Sequence, residues 1–493
     1  MTGAPNPTAT DGTMPEPSSA FDLAVIGAGA AGLSVTAVAA QLGVKVALIE
    51  RARMGGDCLN TGCVPSKALL AASHTAQAIR GAGRFGLRVA APEVDWDAVQ
   101  AHVHGVIAAL APIDSEARFR ALGATVLRGE ARFVARDALA VTGEDGSEQR
   151  ITARRIVIAA GSRAAVPPIP GVDAVAFLTN DTVFELPTRP DHLLILGGGP
   201  IGLELADAFS GLGTAVTVVE AATIAGREDP ELAAGLRMAL AARGVTLLEG
   251  CAVAAVEPGP TLKLADGRRI AGSHLLVAAG RRPNLEALDL DAGGVRASAA
   301  GIATDRGLRS VTNRRVYAVG DIADPQGLGP RAFTHVGSYH AGVVVRRVLF
   351  RLPARLDYAA LPRVTYTHPE LAQAGLTEAE ARAAGHRVSV LRWPLADNDR
   401  AAAERDTAGL VKLVVAGGRL LGAGILAPNA GEMISTWTLA IAARTRMSLL
   451  AGLIVPYPTR SEAAKRAAGS LFAPGLFSPR TKRLVHWLLR WGG

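Results

Sequence analysis

Four residues separate Cys58 from Cys63 in the stretch Gly55-Gly56-Asp57-Cys58-Leu59-Asn60-Thr61-Gly62-Cys63-Val64-Pro65-Ser66-Lys67. Gly62 and Pro65 mark a helix start, and the apolar run behind them predicts a helix from about Ser66 to Ile79. A helix N-terminus favours negative charge and lowers a thiol pKa, so this placement suits a working thiolate. Three chemistries fit such a pair: thiol–disulfide redox work, half of a zinc site, or a structural disulfide. No second ligand pair at metal spacing occurs elsewhere in the sequence, and no metal site is expected. Three cysteines do not make a disulfide scaffold of the secreted kind, and the compartment argument points to a reducing cytosol. Cys251, the third, stands alone in the strand-like run Val245 to Val256 and reads as a small buried hydrophobe.

The elements around the pair are built on an internal repeat. Leu23 to Glu50 reads LAVIGAGAAGLSVTAVAAQLGVKVALIE, and Leu193 to Glu220 reads LLILGGGPIGLELADAFSGLGTAVTVVE, in register without a gap. Each copy is an apolar strand, a Gly-x-Gly-x-x-Gly turn, a helix, a Leu-Gly stop, a second strand and a glutamate. The turn glycines are Gly27, Gly29 and Gly32 in one copy and Gly197, Gly199 and Gly202 in the other. The first allows a tight turn, the second lets backbone approach a pyrophosphate, and the third lets helix and strand pack closely. Phosphates then sit at the helix N-terminus. Glu50 and Glu220, about twenty residues on, stand where a carboxylate accepts the ribose hydroxyls. One such motif is weak evidence; two with matching strand and carboxylate predict two bound dinucleotides, between which a hydride can pass. Glu220 would repel a 2′-phosphate and favours NADH over NADPH, although Arg227 nearby offsets part of that.

Length and composition agree. A chain of 493 residues predicts about three domains, and 49% hydrophobic with 19% charged residues suits a globular protein with buried sheets. Met1 to Ala20 has the composition of a disordered leader, without the basic start and apolar centre of a secretory signal. No apolar run is long enough to span a membrane, so a cytoplasmic location is expected. The formal charge of +8 does not indicate nucleic-acid binding. After Glu462 come six basic residues (Lys465, Arg466, Arg480, Lys482, Arg483 and Arg490) and no acidic one, so the excess is local. No basic stripe is interleaved with aromatic residues.

With these residues in view, the chain from about Phe21 to Phe472 resembles the class I pyridine nucleotide–disulfide oxidoreductases, the family of dihydrolipoamide dehydrogenase, glutathione reductase and mercuric reductase. The resemblance implies an α/β fold with two Rossmann-type domains and an α+β C-terminal dimerisation domain. The FAD domain would comprise 21–160 and 285–355, the NAD(P) domain 161–284 and the dimerisation domain 356–472, with a basic amphipathic tail at 473–493. It implies FAD and NADH as cofactors, with NADPH the lesser donor, and a homodimer acting on a small-molecule acceptor. It implies that Cys63 is the charge-transfer thiolate and Cys58 the interchange thiol, with Lys67 near flavin N5 and paired with Glu204. Ile158-Ala159-Ala160-Gly161-Ser162 and Ala278-Ala279-Gly280-Arg281-Arg282-Pro283-Asn284 resemble the crossings between the two nucleotide domains. Tyr317-Ala318-Val319-Gly320-Asp321 resembles the FAD-closing motif, whose aspartate bonds the ribityl chain. Gly56, Ala131, Gly161, Gly320, Gly280 and Arg281 join the expected cofactor contacts on the same footing.

One departure limits the activity. Disulfide reductases of this family use a His-Pro-x-x-x-Glu segment of the partner subunit as a His–Glu base; here the segment is Tyr457-Pro458-Thr459-Arg460-Ser461-Glu462. A phenol is a poor base at neutral pH. Mercuric reductases resemble the chain here, but they also carry a vicinal Cys-Cys near the C-terminus, which this sequence does not show. His335 and His368 are candidate substitutes, although a lone histidine is more often structural. The expected function is electron transfer from NAD(P)H through FAD to the cysteine pair and on to a disulfide or other small acceptor. The alternatives are a mercuric-reductase-like metal-ion reductase and an electron-delivery subunit for a protein or membrane partner. In the tail, Arg483, His486 and Arg490 share one helical face, and Leu484, Val485, Leu488 and Trp491 the other. Such a helix either packs on the dimer, the commoner fate, or lies in a membrane interface.

Overall fold

The computed structural model describes residues 19–491. These divide into two compact units: one takes the chain up to Asn60 with Ala108–Arg163 and Arg281–Leu356, the other Thr61–Ile107, Ala164–Gly280 and the chain from Asp357.

The first unit holds the first repeat copy. Strand β1 (Ser19–Ile26), helix α1 (Ala30–Gln41) and strand β2 (Val46–Glu50) form a parallel βαβ turn, followed by the short helix α2 (Gly56–Asn60). β1 begins two residues inside the stretch expected to be leader, because Ser19 and Ala20 find backbone partners at Ile151 and Thr152; the rest of that stretch lies outside the described residues. Strand order is β3-β2-β1-β6-β5-β4, with β3 Thr125–Arg128, β4 Glu130–Ala135, β5 Ala138–Thr142 and β6 Glu148–Ile158. The first half of β6 pairs antiparallel with β5, and its last three residues pair in parallel with Val316–Ala318. The strand that leads into Gly320 and Asp321 thereby joins the same sheet. β2 is buried on both faces, as a parallel strand covered by helices requires.

The second unit holds the second copy: strands His192–Leu196 and Ala215–Val219, the helix Pro200–Gly211 between them, and a four-stranded sheet completed by Thr246–Leu248 and His274–Val277. It also contains helix α3 (Cys63–Gly81). On α3, Ser73 Oγ donates to Asp207 O (3.1 Å) and Arg80 Nη1 to Gly211 O (2.5 Å). Leu69 and Leu70 share a core with Leu203 and Phe209. Burying each such side chain contributes about 1.5–3 kcal/mol, which ties α3 to the helix of the second copy. A five-stranded antiparallel sheet from Pro362–Thr365 to Arg419–Ala427, with the Ala430–Ala442 and Ser461–Ser470 helices over its core, forms the C-terminal part. The last described element is the helix Pro479–Trp491.

Candidate active site

Each glycine turn is shaped by steric necessity. A Cβ on Gly27 would lie 2.4 Å from Ala159 O, and one on Gly32 1.9 Å from Gly27 O. The second copy repeats this, with Gly197 2.4 Å from Ala278 O and Gly202 2.1 Å from Gly197 O. The middle glycines differ: a Cβ on Gly199 would meet nothing within 4 Å, and one on Gly29 only Gly56 Cα at 3.9 Å. Both helix N-termini therefore face open space across bare backbone, which is what a pyrophosphate needs. Glu50 accepts from the N–H groups of Ala28 (2.6 Å) and Ala52 (2.7 Å), and Glu220 from those of Gly198 and Ala222 (2.8 Å each). The two copies match bond for bond. This cradle and donor set fits two dinucleotides.

In the first unit Asp321 Oδ2 accepts from Ser162 Oγ at 2.5 Å, and Arg281 donates to Ser162 Oγ (2.7 Å) and pairs with Asp57 (2.7 Å). Burial pushes Asp321 above the usual carboxylate range, against the hydrogen bond of Ser162 and the charge of Arg281. Asn284 closes the crossing by donating to Ala160 O, and its N–H donates to Gly161 O. The turn before Asp321 is held from behind: the N–H of Gly320 donates to His340 Nδ1 at 3.1 Å. Burial pulls His340 down to about 4, so its ring stays neutral and able to accept. Ala131 sits in β4 opposite Val141 and is buried.

Cys58 lies within α2 and Cys63 is the first residue of α3, three residues earlier than the helix expected from Ser66. Gly62 is the N-cap, so the Cys63 thiol stands at a helix N-terminus with Lys67 one turn on, at i+4. Lys67 Nζ pairs with Glu204 Oε2 at 2.6 Å and sits 4.3 Å from the ring centroid of Tyr366. Glu204 Oε1 accepts from the Tyr366 N–H (3.0 Å). One turn further, the buried Asp207 accepts from His74 Nε2 (3.2 Å), Arg243 Nη1 (2.8 Å) and the His368 N–H (2.8 Å). The helix of the second glycine motif thus presents two carboxylates that receive both α3 and the turn between strands Pro362–Thr365 and Glu370–Gly375.

The C-terminal residues pair locally. Tyr457 is 69% exposed, and its hydroxyl donates to Asp399 Oδ2 at 3.0 Å, which raises the phenol further above its ordinary value. Glu462 accepts from Arg466 Nε and Nη2. Of the candidate bases, His368 pairs with Asp406 (3.1 Å), and His335 stacks on Phe333. Cys251 is half-buried rather than buried, because the strand-like run breaks at its position and its sulfur meets Glu249 O and Arg268. Among the described residues no cluster of metal-ligating side chains occurs. Sequence reasoning missed Asp207, His74, His340, Ser162 and Tyr366. A signal existed for two: Lys67 and His74 are seven apart on α3, and Glu204 and Asp207 three apart, so each pair shares a helix face.

Two dinucleotide cradles, a cysteine at a helix N-terminus and an antiparallel C-terminal sheet are the parts of an NAD(P)H-dependent flavoprotein disulfide oxidoreductase. Residues 21–345 match the pyridine nucleotide-disulphide oxidoreductase model and residues 361–468 its dimerisation domain; the chain belongs to this family, whose members use FAD and NAD(P)H. It is 37% identical over 459 residues to a mercuric reductase of Streptomyces lividans, covering 91% of this chain and 95% of the relative. It is 35% identical over 456 residues to a dihydrolipoyl dehydrogenase of Geobacillus stearothermophilus, covering 90% and 94%. Among solved structures, the Cu(II) complex of the HOCl-induced flavoprotein disulfide reductase RclA from Escherichia coli superposes with a TM-score of 0.82 at 26% identity, over 92% of this chain and 99% of that one. LpdA from Mycobacterium tuberculosis gives a TM-score of 0.82 at 26% identity, over 91% and 99%.

Proposed function

We propose that this enzyme passes electrons from NADH through FAD to the Cys58/Cys63 dithiol and on to a small acceptor that needs no external base. Bound FAD would supply hydride acceptance and relay to the dithiol, held by the Gly27–Gly32 turn, Glu50, Gly56, Gly161, Gly320 and Asp321. The Gly197–Gly202 turn, Glu220 and Gly280 would serve the nicotinamide nucleotide, with Arg281 on the FAD side beside Asp57 and Asp321. Cys63 would be kept as thiolate by the α3 N-terminus and the Lys67 ammonium, leaving Cys58 for exchange with the acceptor. Tyr457 carries the reading on the acceptor: its hydroxyl is committed as a donor to Asp399 and cannot serve as the base that disulfide exchange requires. Thiol-bound metal ions and quinone-like acceptors need no such base, and the mercuric reductase relatives favour the former. A panel of acceptors with NADH as donor tests this. Dihydrolipoamide and oxidised glutathione are expected to turn over weakly, and Tyr457→His to raise disulfide turnover about a hundredfold, the lower end for a positioned general base. Robust lipoamide turnover in the parent enzyme would overturn the reading.

Glu220 carries the donor preference. Its carboxylate is held by two backbone N–H groups at the end of the second strand, where a 2′-phosphate would approach. The kcat/KM ratio of NADH to NADPH is expected to exceed one clearly and to fall in Glu220→Ala; a preference for NADPH in the parent would reverse the assignment.

The matched dimerisation domain supports a homodimer, and the proposed dithiol chemistry suits the cytoplasm. Among the described residues no helix is long and apolar enough to cross a membrane. The C-terminal helix supports peripheral contact: Leu484, Val485, Trp487, Leu488, Leu489 and Trp491 are 45–76% exposed, and the family match ends at residue 468. Its apolar residues beside Arg480, Lys482, Arg483 and Arg490 suit an anionic lipid surface. The full chain should float with anionic liposomes and a chain truncated after Phe477 should not. Equal flotation excludes the contact, and loss of the dimer on truncation assigns the helix to the partner subunit instead.

A further inference from the structure

Tyr366 lies in the turn between strands Pro362–Thr365 and Glu370–Gly375. Its main chain and its ring both engage the Lys67–Glu204 pair. The N–H donates to Glu204 Oε1 at 3.0 Å, while the ring face lies 4.3 Å from Lys67 Nζ. Glu204 is buried, with its two oxygens divided between the Tyr366 N–H and the Lys67 ammonium. The ring is held in turn: a Cβ on Gly431 would come within 3.3 Å of Tyr366 Cε1, so the Ala430–Ala442 helix backs it closely. The same turn is anchored a second time by the His368 N–H on Asp207. Lys67 follows Cys63 at i+4 on α3, so the ammonium that Tyr366 steadies lies on the thiol's own helix face.

We propose that Tyr366 is a positioning residue that fixes the Lys67 ammonium by cation–π contact on the Cys63 side of α3, so that the C-terminal domain sets the thiol's ionisation. This rests on the reading of Cys63 and Lys67 given above. A lysine held only by one carboxylate swings on a flexible four-carbon stem. A ring beneath it removes that freedom without neutralising the charge, and the tyrosine hydroxyl is not needed for this.

The test is the pH dependence of iodoacetamide alkylation of the reduced dithiol in the holoenzyme, with the thiolate-to-flavin band as a second readout. Tyr366→Leu is expected to raise the alkylation midpoint by about half a pH unit, from a cation–π contact of ~0.5–1 kcal/mol and 1.36 kcal/mol per unit. Tyr366→Phe should leave the midpoint in place. In a Lys67→Gln background, itself shifted upward, Tyr366→Leu should add nothing. An equal shift in both backgrounds would show that the ring acts without Lys67 and overturn the proposal, leaving the assignment of the dithiol intact. Absence of any shift in Lys67→Gln would overturn the role of Lys67 itself, and that of Tyr366 with it. Should the leucine variant fail to fold, Tyr366→Met fills similar volume without a π face and carries the same expectation.

Discussion

Cys63→Ser is expected to abolish the long-wavelength band that anaerobic NADH raises in the parent protein, and to lower acceptor turnover about a thousandfold or more, as removal of a nucleophile does. Cys63 opens α3 behind the Gly62 cap, with no acidic residue in the first turn to oppose a thiolate and Lys67 at i+4 to favour it. Serine at this position stays protonated at every accessible pH, so it offers neither the electron-rich sulfur that generates the band nor a dithiol to close. Cys58→Ser should also stop turnover yet keep the band if the thiol within α2 has the exchanging role proposed for it. Absorbance titration with NADH under argon checks both. Retention of the band at full strength in Cys63→Ser, with loss in Cys58→Ser, would exchange the two roles.

Asp207→Ala is expected to destabilise the second unit by about 1–3 kcal/mol, the cost of leaving hydrogen-bond donors without their acceptor. Its carboxylate is fully buried and receives His74, Arg243 and the His368 N–H, so its loss orphans donors on α3, on Arg243 and on the strand turn together. Burial pushes the Asp207 carboxyl upward, but the hydrogen bonds and charges of His74 and Arg243 outweigh it and hold the group below its ordinary range. A depressed carboxylate contributes stability that is complete above its unfolded pKa and lost as pH falls through the folded one. The gap between parent and variant should therefore be widest near neutrality and narrow below about pH 4, near the unfolded carboxylate value. Urea denaturation of the holoenzyme at several pH values measures it. A loss under ~1 kcal/mol at pH 7, the scale of an exposed pair, would show that Asp207 is not the anchor of α3.

Much of the fold was legible without coordinates because dinucleotide turns are local chemistry. A tight turn, a close backbone approach and a strand-end carboxylate are demanded within some thirty residues. That is why Gly27, Gly29, Gly32 and Glu50, with their counterparts Gly197, Gly199, Gly202 and Glu220, could be read from spacing alone. The same holds for Cys63 at a helix start, where Gly62 and Pro65 announce the N-terminus, although the first turn began three residues sooner than proline suggested.

What only the tertiary structure decided are the contacts between residues far apart in sequence. Tyr366 meets Glu204 across 162 positions and His368 meets Asp207 across 161, and no periodicity encodes these partners; the Lys67–Glu204 pair, 137 positions apart, was expected only through the family resemblance. The assignment of α3 to the second unit rests on apolar packing against the Pro200–Gly211 helix, which a helical face permits but does not specify. Tyr457 shows the division within one residue: its type excludes an effective base by intrinsic pKa, while its engagement with Asp399, 58 positions away, comes from the packing of the C-terminal domain. Local chemistry is written in spacing, whereas long-range pairing is settled by which buried charges must find partners once the chain has closed around them.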